Sequence, residues 1–241
     1  MRFMNKQKGQ LIVALDVATL DEAKKLVREL KSVVDIFKVG SQLFTACGPE
    51  AVRYLLKEGK EVFLDLKFHD IPNTVASAIA AAVNIAEGGR GIMMCTLHAL
   101  GGLEMLQAAA ETARKEAQVR GVKRPLLVAI TVLTSEVKKD NIPRLVLERS
   151  ALAKQAGLDG VVASSQEAAL IRREFGKDFV IVTPGIRPKD TAVGDQKRVT
   201  TPADAIANGS DFLVVGRPVV NAKDPAAAAK QILEEIKQIK F

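Results

Sequence analysis

Residues 61–87 read EVFLDLKFHDIPNTVASAIAAAVNIAE, a short apolar run that passes through charged residues into an alanine-rich segment. The run at 61–66 has the length and the Val, Phe and Leu content of a buried strand. Residues 73–87 carry apolar side chains all round, which is typical of a helix packed between a sheet and a second surface. A strand followed directly by a helix is the βα unit of parallel sheets, so this stretch predicts an α/β fold.

The same unit recurs along the whole chain. Apolar runs, each followed by an amphipathic segment, predict parallel strands at 11–15, 36–39, 61–66, 91–96, 126–131, 160–163, 180–183 and 212–215. Dividing 241 residues by eight gives about 30 per unit, the length that one strand, one helix and two loops require. No linker interrupts the series, which therefore predicts a single (β/α)8 TIM barrel domain over 1–241, with an open doubly wound sheet as the alternative.

Composition and charge narrow the possible functions. The chain has 35 Lys and Arg against 28 Asp and Glu, a net charge of +7 that favours an anionic partner. With no Trp, one Tyr and nine Phe it has few rings on which to stack bases, so a small phosphorylated ligand fits better than nucleic acid. Neither a signal-peptide core nor a membrane-length apolar run is present, and a cytoplasmic location is expected.

Charged residues stand where a barrel enzyme places its active site, at the carboxyl ends of the strands. The ends of the first three predicted strands carry Asp16, Lys38, Asp65, Lys67 and Asp70. Side chains two positions apart on a strand share a face, so Asp65 and Lys67 are expected to point together into the barrel mouth.

We expect these charges to form a row of alternating sign, made of Lys38, Asp65, Lys67 and Asp70. An unpaired buried charge is costly, whereas alternation favours the charged form of every member. A lysine held protonated suits a general acid and disfavours Schiff-base chemistry. The alternative is a purely structural ion-pair network. Because the row is neutral overall, the basic surplus is expected on outer helices and loops, at residues such as Arg124.

A phosphate site is predicted after the last two strands, where TIM barrels commonly bind phosphate. Gly216 lets the backbone approach a ligand, and Arg217 offers a forked set of donors. Arg187 opens a polar segment that extends to Thr200 and is predicted to be a mobile lid. The predicted site consists of Arg187, Gly216 and Arg217, and Gln196 joins them when the lid closes.

Other polar residues near the predicted mouth have open assignments. Thr131, Thr134 and Ser135 follow the fifth strand, either to bind a polar ring edge or as satisfied core hydroxyls. His69 and His98 are expected to have structural, hydrogen-bonding roles. A metal site is not predicted, because the nearby carboxylates are already matched to lysines.

Three segments resemble the signature segments of the orotidine 5′-phosphate decarboxylases, in their bacterial branch. They are DLKFHDIPNT at 65–74, TPGIRP at 183–188 and VGRP at 215–218, and the resemblance extends over essentially the whole chain. It implies a cofactor-free decarboxylation of orotidine 5′-monophosphate to UMP and carbon dioxide in de novo pyrimidine biosynthesis. The nearest rivals are the magnesium-dependent 3-keto-gulonate 6-phosphate decarboxylases, which share the D-x-K-x-x-D core. A non-catalytic barrel that binds phosphate or nucleic acid is the alternative from another class.

The resemblance also implies a role for individual residues. Lys67 would stabilise the carbanion that forms at C6 of the pyrimidine and then protonate that carbon. Asp65 would lie near the departing carboxylate, and Lys38 would orient Asp65 and the ribose. Asp16 would accept hydrogen bonds from ribose hydroxyls, and Thr134 would contact the pyrimidine.

A homodimer is the partner that the resemblance implies. In the family, the last Asp of the motif, here Asp70, and Thr74 reach into the neighbouring subunit's site. The apolar helix that begins near Asn73 is consistent with a subunit interface. Neither nucleic acid nor a membrane is expected as a partner.

Overall fold

Eight parallel strands close into a barrel in a computed structural model that describes residues 9–133, 141–188 and 200–239. Each strand pairs with the next along the chain, and the last pairs with the first. The strands are β1 (Gln10–Ala14), β2 (Ile36–Gly40), β3 (Glu61–Phe68), β4 (Met94–His98), β5 (Leu126–Ile130), β6 (Gly160–Val162), β7 (Val180–Thr183) and β8 (Phe212–Val215). The predicted (β/α)8 barrel is confirmed and the open sheet is wrong, while one domain over all of 1–241 stays a prediction.

Helices surround the barrel on the outside. They are α1 (Leu20–Leu30), α2 (Ser41–Cys47), α3 (Glu50–Lys57), α4 (Pro72–Val83), α5 (Gly102–Arg120), α6 (Ile142–Gln155), α7 (Ser165–Phe175), α8 (Pro202–Ala207), α9 (Arg217–Val220) and α10 (Pro225–Lys237). A capping box starts α1, because Thr19 and Glu22 each accept a hydrogen bond from the other's backbone N–H, at 3.2 and 3.1 Å. In the part of the chain described, no helix is both long and apolar enough to cross a membrane.

The strands separate two apolar layers. Alternate residues such as Ile12, Phe63 and Met94 fill the inside of the barrel, while their neighbours Val62 and Leu64 pack against the helices. Because the side-chain direction alternates along a strand, Asp65 takes the inward direction of Phe63. This direction agrees with the prediction that Asp65 points into the barrel mouth, where it lines a pocket.

Element boundaries differ from the predicted ones mainly around α4. The helix ends at Val83 instead of residue 87, and β4 begins at Met94 instead of residue 91. Ile85 and Ile92 lie in the connection but are only 8% and 2% exposed, because they pack into the core. Their apolar side chains continue the pattern of the flanking elements, which explains why the sequence predicts longer ones.

Candidate active site

One pocket of about 440 Å³ opens at the carboxyl ends of the strands. Its polar lining side chains are Asp16, Lys38, Gln42, Asp65, Lys67, Arg187 and Arg217. Its apolar lining residues include Phe63, Ile130, Val132, Leu133, Val162 and Val214. Charges from the first three βα units thus share a cavity with the two arginines that follow β7 and β8.

Four of the charged side chains form a continuous row, which we call the charge row: Asp16, Lys38, Asp65 and Lys67. Lys38 Nζ lies 3.0 Å from Asp16 Oδ1 and 3.5 Å from Asp65 Oδ2, and Lys67 Nζ lies 2.9 Å from the same Asp65 oxygen. The side chains of Lys38 and Asp65 are about one-tenth exposed, against 40% for Lys67. The row is therefore buried at its centre, and its Lys67 end faces the cavity.

Asp70 does not belong to the row of a single chain, contrary to the prediction. Strand β3 ends at Phe68, and Asp70 is exposed beyond it, where its Oδ1 accepts a hydrogen bond of 2.6 Å from the Ile71 N–H. Asp16 supplies the fourth charge instead, because β1 pairs with β2 so that Ala14 lies opposite Lys38. Thr74 is likewise exposed, on the first turn of α4.

The backbone of Lys67 has an unusual conformation. With φ at +54°, Lys67 is the one non-glycine residue in the left-handed region among the described residues. Such a conformation costs on the order of 1–3 kcal/mol and persists only where surrounding contacts enforce it. One of those contacts is a hydrogen bond of 2.8 Å from the Lys67 N–H to Thr96 Oγ1. The regular alternation of side-chain direction along β3, from which the direction of Lys67 was predicted, therefore stops at Lys67.

The ionisation of Asp65 follows from opposing effects. Burial by itself raises the pKa of Asp65. The ammonium groups of Lys38 and Lys67, together with hydrogen bonds from Lys67 and Thr96, lower the pKa by more than burial raises it. The pKa of Asp65 therefore lies below its ordinary value of 3.8. At neutral pH the carboxylate is ionised, so the centre of the row alternates in sign.

The predicted phosphate residues lie at the same cavity. Arg187, Gly216 and Arg217 all line it, and Arg187 is only 7% exposed. The Arg187 N–H donates to the Thr200 carbonyl at 2.9 Å, which joins the two ends of the predicted lid. Gln196, like the rest of that segment from 189 to 199, lies outside the described residues.

An apolar wall completes the cavity, and its residues were not predicted from the sequence. Ile130 is the last residue of β5, Val132 follows that strand, and Val162 is the last residue of β6. The alternation of side-chain direction along a strand was the signal that could have predicted the inward-facing Ile130. Thr131 has the alternative role that the sequence left open, because its buried hydroxyl donates to the Val162 carbonyl at 2.8 Å. Thr134 and Ser135 lie outside the described residues.

Beside the mouth lies an exposed patch of His69, Ile71 and Leu100, which we call the rim patch. Ile71 is 65% and Leu100 57% exposed, unusual values for large apolar side chains. His69 stacks on His98 with ring centres 5.1 Å apart. His98 Nδ1 accepts a hydrogen bond of 3.3 Å from the Leu100 N–H, which confirms the structural role predicted for His98.

A closed barrel with a lysine–carboxylate row and two arginines at its mouth has the architecture of the (β/α)8-barrel enzymes. The sequence model described as "Orotidine 5'-phosphate decarboxylase / HUMPS family" matches residues 9–232. The chain belongs to this family.

Individual relatives agree with that membership. An orotidine 5′-phosphate decarboxylase of Syntrophotalea carbinolica is 50% identical over 235 residues, which cover 94% of each chain. One of Moorella thermoacetica is 49% identical and matches 97% of this chain and 94% of its own length. The crystal structure of orotidine 5′-phosphate decarboxylase from Lactobacillus acidophilus superposes with a TM-score of 0.79 at 35% identity, over 95% of this chain and 99% of that one. The resemblance inferred from the motifs and the expectation of a carboxy-lyase are both confirmed.

Proposed function

We propose that this chain decarboxylates orotidine 5′-monophosphate to UMP and carbon dioxide in pyrimidine biosynthesis, with Lys67 as the proton donor. The observation that carries the proposal is the charge row, which ends at the 40% exposed Lys67 in the cavity that Arg187 and Arg217 also line. Relatives that carry this enzyme's name and are about half identical along nearly the full chain support the same substrate.

The chemistry requires a positive charge beside one carbon of the ring. When the bond between C6 and the carboxylate breaks, carbon dioxide leaves and the electron pair stays on C6. That pair lies in the plane of the ring, where the π-system cannot delocalise it. The fixed ammonium of Lys67 stabilises this charge and then transfers a proton to C6, which gives UMP and a neutral lysine that takes a proton from solvent.

The rest of the row holds Lys67 in place. Asp65 Oδ2 lies within 3.5 Å of both ammonium nitrogens, so each lysine is restrained by a shared carboxylate. In the proposed complex Asp65 lies near the departing carboxylate, Lys38 orients Asp65 and the ribose, and Asp16 accepts hydrogen bonds from ribose hydroxyls. Ile130 and Val162 give the cavity an apolar wall.

Binding of the 5′-phosphate is assigned to Arg187, Gly216 and Arg217. Their place at the cavity supports this assignment, since guanidinium groups match phosphate oxygens with paired donors. Because the phosphate takes no part in the bond changes, its binding energy is available to hold the pyrimidine against the charge row. The predicted contributions of Gln196 and Thr134 belong to segments outside the described residues.

The test of the proposal is the loss of orotidine 5′-monophosphate absorbance with purified protein. We expect turnover by the wild-type chain and a fall of about 1,000-fold or more in kcat for Lys67→Ala, because the proton donor and the charge beside C6 are both removed. The matched control is Lys57→Ala, which removes an exposed lysine at the end of α3 and is expected to leave kcat unchanged. A wild-type protein that consumes no substrate contradicts the proposal and leaves both alternatives, the magnesium-dependent decarboxylase and the non-catalytic barrel.

A chelator separates the proposal from its magnesium-dependent rival. Within the described ranges, no three His, Cys, Asp or Glu side chains are grouped so that they could hold a metal ion. We expect activity on orotidine 5′-monophosphate to survive exhaustive EDTA treatment. Activity that is lost with EDTA and restored by adding magnesium favours a 3-keto-gulonate 6-phosphate decarboxylase-like enzyme.

We further propose a homodimer in which Asp70 and Thr74 complete the partner's site. Three observations support it: Asp70 lies outside the row of its own chain, the rim patch beside it is exposed, and the exposed residues of α4 after Asn73 are the small Thr74, Ser77 and Ala81. Small residues on a helix face allow close approach of a second surface.

Mixing two inactive variants tests this arrangement. Lys67→Ala and Asp70→Asn are each expected to be inactive, but a mixed dimer contains one site with both native residues. Random reassociation therefore restores about a quarter of wild-type activity, since half the dimers are mixed and half their sites are intact. Dimers that reassociate without regaining activity contradict the shared site.

The cytoplasmic location stays a prediction, which cell fractionation tests.

A further inference from the structure

The pairing of β3 with β4 is irregular at the charge row. Phe63 lies opposite Met94 and Leu64 opposite Cys95, but the next pair is Phe68 with Leu97. Three residues of β3, at 65–67, therefore face the single residue Thr96 of β4. In such a bulge the longer strand cannot form a complete ladder of backbone hydrogen bonds, so other groups must satisfy the unpaired ones.

The hydroxyl of Thr96 makes two hydrogen bonds across this bulge. It accepts one from the Lys67 N–H at 2.8 Å and donates one to Asp65 Oδ1 at 3.0 Å. Thr96 is fully buried, with 0% exposure. A single hydroxyl thus uses its donor and an acceptor site on two members of the charge row.

We infer that Thr96 is a positioning residue of the decarboxylation, which fixes the Lys67 backbone and the Asp65 carboxylate in the geometry that proton transfer to C6 requires. This inference rests on the roles proposed above for Lys67 and Asp65. Thr96 itself does not meet the ligand, because its side chain is buried, and it acts through these two residues.

The division of the Asp65 oxygens explains how Thr96 exerts this effect. Oδ2 receives Lys67 Nζ at 2.9 Å, while Oδ1 is held by Thr96. With both oxygens engaged, the carboxylate cannot rotate, and the lysine ammonium that depends on it keeps its direction. At its other end, the Lys67 side chain starts from a left-handed backbone that the Thr96 oxygen also restrains. Removal of the hydroxyl loosens both attachments of Lys67 at once.

Substitutions of similar shape separate the hydroxyl from the packing. Thr96→Val keeps the side-chain volume but can neither donate nor accept, whereas Thr96→Ser keeps the hydroxyl. We expect kcat to fall about 10–100-fold in Thr96→Val with KM for orotidine 5′-monophosphate within about 3-fold, because orientation and not phosphate binding is lost. In Thr96→Ser, kcat returns to within about 3-fold of wild type. Thr96→Cys, a weak hydrogen-bonding group of nearly the same size, is expected to lie between the two.

Thr183→Val is the matched control. Thr183 is also fully buried and shares one hydrogen bond of 2.6 Å with Ser210, but it follows the inward-facing Val182 and so points toward the helices. We expect its thermal stability to fall as in Thr96→Val while kcat stays within about 2-fold of wild type.

The outcomes are distinguishable from failure of the proposed function. If Lys67→Ala is inactive but Thr96→Val retains wild-type kcat, the positioning role is wrong and the proposed function stands. A Thr96→Ser variant as slow as Thr96→Val, with a native melting temperature, likewise overturns the role of the hydroxyl. If Thr96→Val does not fold, kcat of Thr96→Cys and Thr96→Ser decides, and equal values for these two contradict the inference.

Discussion

The two ends of the barrel use charged side chains in different ways. At the mouth, the members of the charge row contact one another, and Lys38 and Lys67 share Asp65 Oδ2 within 3.5 Å. At the opposite end, where the strands begin, charged side chains bind the backbone. Asp159 and Asp211 each accept one hydrogen bond from a backbone N–H and at least one from an arginine guanidinium.

The strand starts are joined by two such clusters, which we call the floor clamps. Asp159 binds Arg124 at 2.6 Å and the Leu127 N–H at 2.8 Å. Asp211 binds Arg172 at 2.7 Å and the Ile181 N–H at 2.8 Å. Each clamp therefore links two neighbouring strands through one carboxylate.

The difference shows how a barrel separates stability from chemistry. The floor-clamp side chains hold neighbouring strands together and do not line the cavity. The charges of the charge row contact one another and leave the Lys67 ammonium at the cavity, at the cost of a strained backbone at Lys67. Substitutions at the floor should change stability, and substitutions at the mouth should change turnover.

The largest effect on stability is expected from breaking a floor clamp with Arg172→Met. Arg172 donates to the carbonyls of Gly176, Phe179 and Gly209 besides binding Asp211, so its loss leaves a largely buried carboxylate without a counter-ion. We expect the free energy of unfolding to fall by about 3 kcal/mol and the melting temperature by about 6–12 °C.

The kinetic measurement decides whether this clamp is separate from the site. At one temperature, 20 °C below the melting temperature of the variant, kcat of Arg172→Met is expected to match kcat of the wild type. Arg173→Met removes the exposed neighbouring arginine and is the control, with little change in stability expected. A loss of kcat in Arg172→Met without a loss of stability is the opposite of this prediction.

The complementary experiment at the mouth is Arg217→Ala. Arg217 is exposed and lines the cavity, so its loss removes the proposed phosphate contact without opening the core. We expect kcat/KM for orotidine 5′-monophosphate to fall by about 100-fold, with an unchanged melting temperature. Orotidine, which lacks the phosphate, is the control substrate, and its kcat/KM is expected to stay the same. Equal losses with both substrates contradict the phosphate role.

The fold was predictable because every strand of a closed parallel barrel is buried on both faces. Such strands are uniform apolar runs, and β7 and β8 were predicted to the residue. Errors arose where loop residues such as Ile85 and Ile92 pack into the core, since an apolar pattern does not distinguish them from strand or helix.

The site was predictable only as far as alternation along one strand extends. Asp65 was placed correctly from its own strand, but the pairing of Asp16 with Lys38 depends on the register between β1 and β2. The role of Thr96 depends on a bulge that changes the register between β3 and β4. Arg124 was counted among surplus outer charges, although it binds Asp159, a partner 35 residues further along the chain. Sequence patterns carry no information on such registers.

A smaller change at the mouth tests how closely the charge row is packed. A Cβ atom at Gly40 would lie 2.7 Å from Lys38 Nζ and 3.3 Å from Asp16 Oδ1, so Gly40→Ala must displace the lysine. The ammonium lies at the end of a flexible side chain, and we expect kcat/KM to fall about 10-fold while stability changes by less than about 0.5 kcal/mol. Gly91→Ala, whose Cβ would meet only Val122 and Lys123 at 3.7 Å or more, is the control. Equal activities of the two variants would show that Lys38 tolerates displacement.

The smallest effect concerns stability at the mouth and appears only in acid. Because the pKa of Asp65 is lower in the folded chain than its ordinary 3.8, ionised Asp65 contributes stability above about pH 5 that is lost as the pH falls through the folded pKa. Between pH 5 and 3, the free energy of unfolding in urea is therefore expected to fall more steeply for the wild type than for Asp65→Asn. Asp21→Asn, which removes a 95% exposed carboxylate, is the control. Parallel curves for wild type and Asp65→Asn would show that Asp65 makes no contribution to the acid sensitivity of the fold.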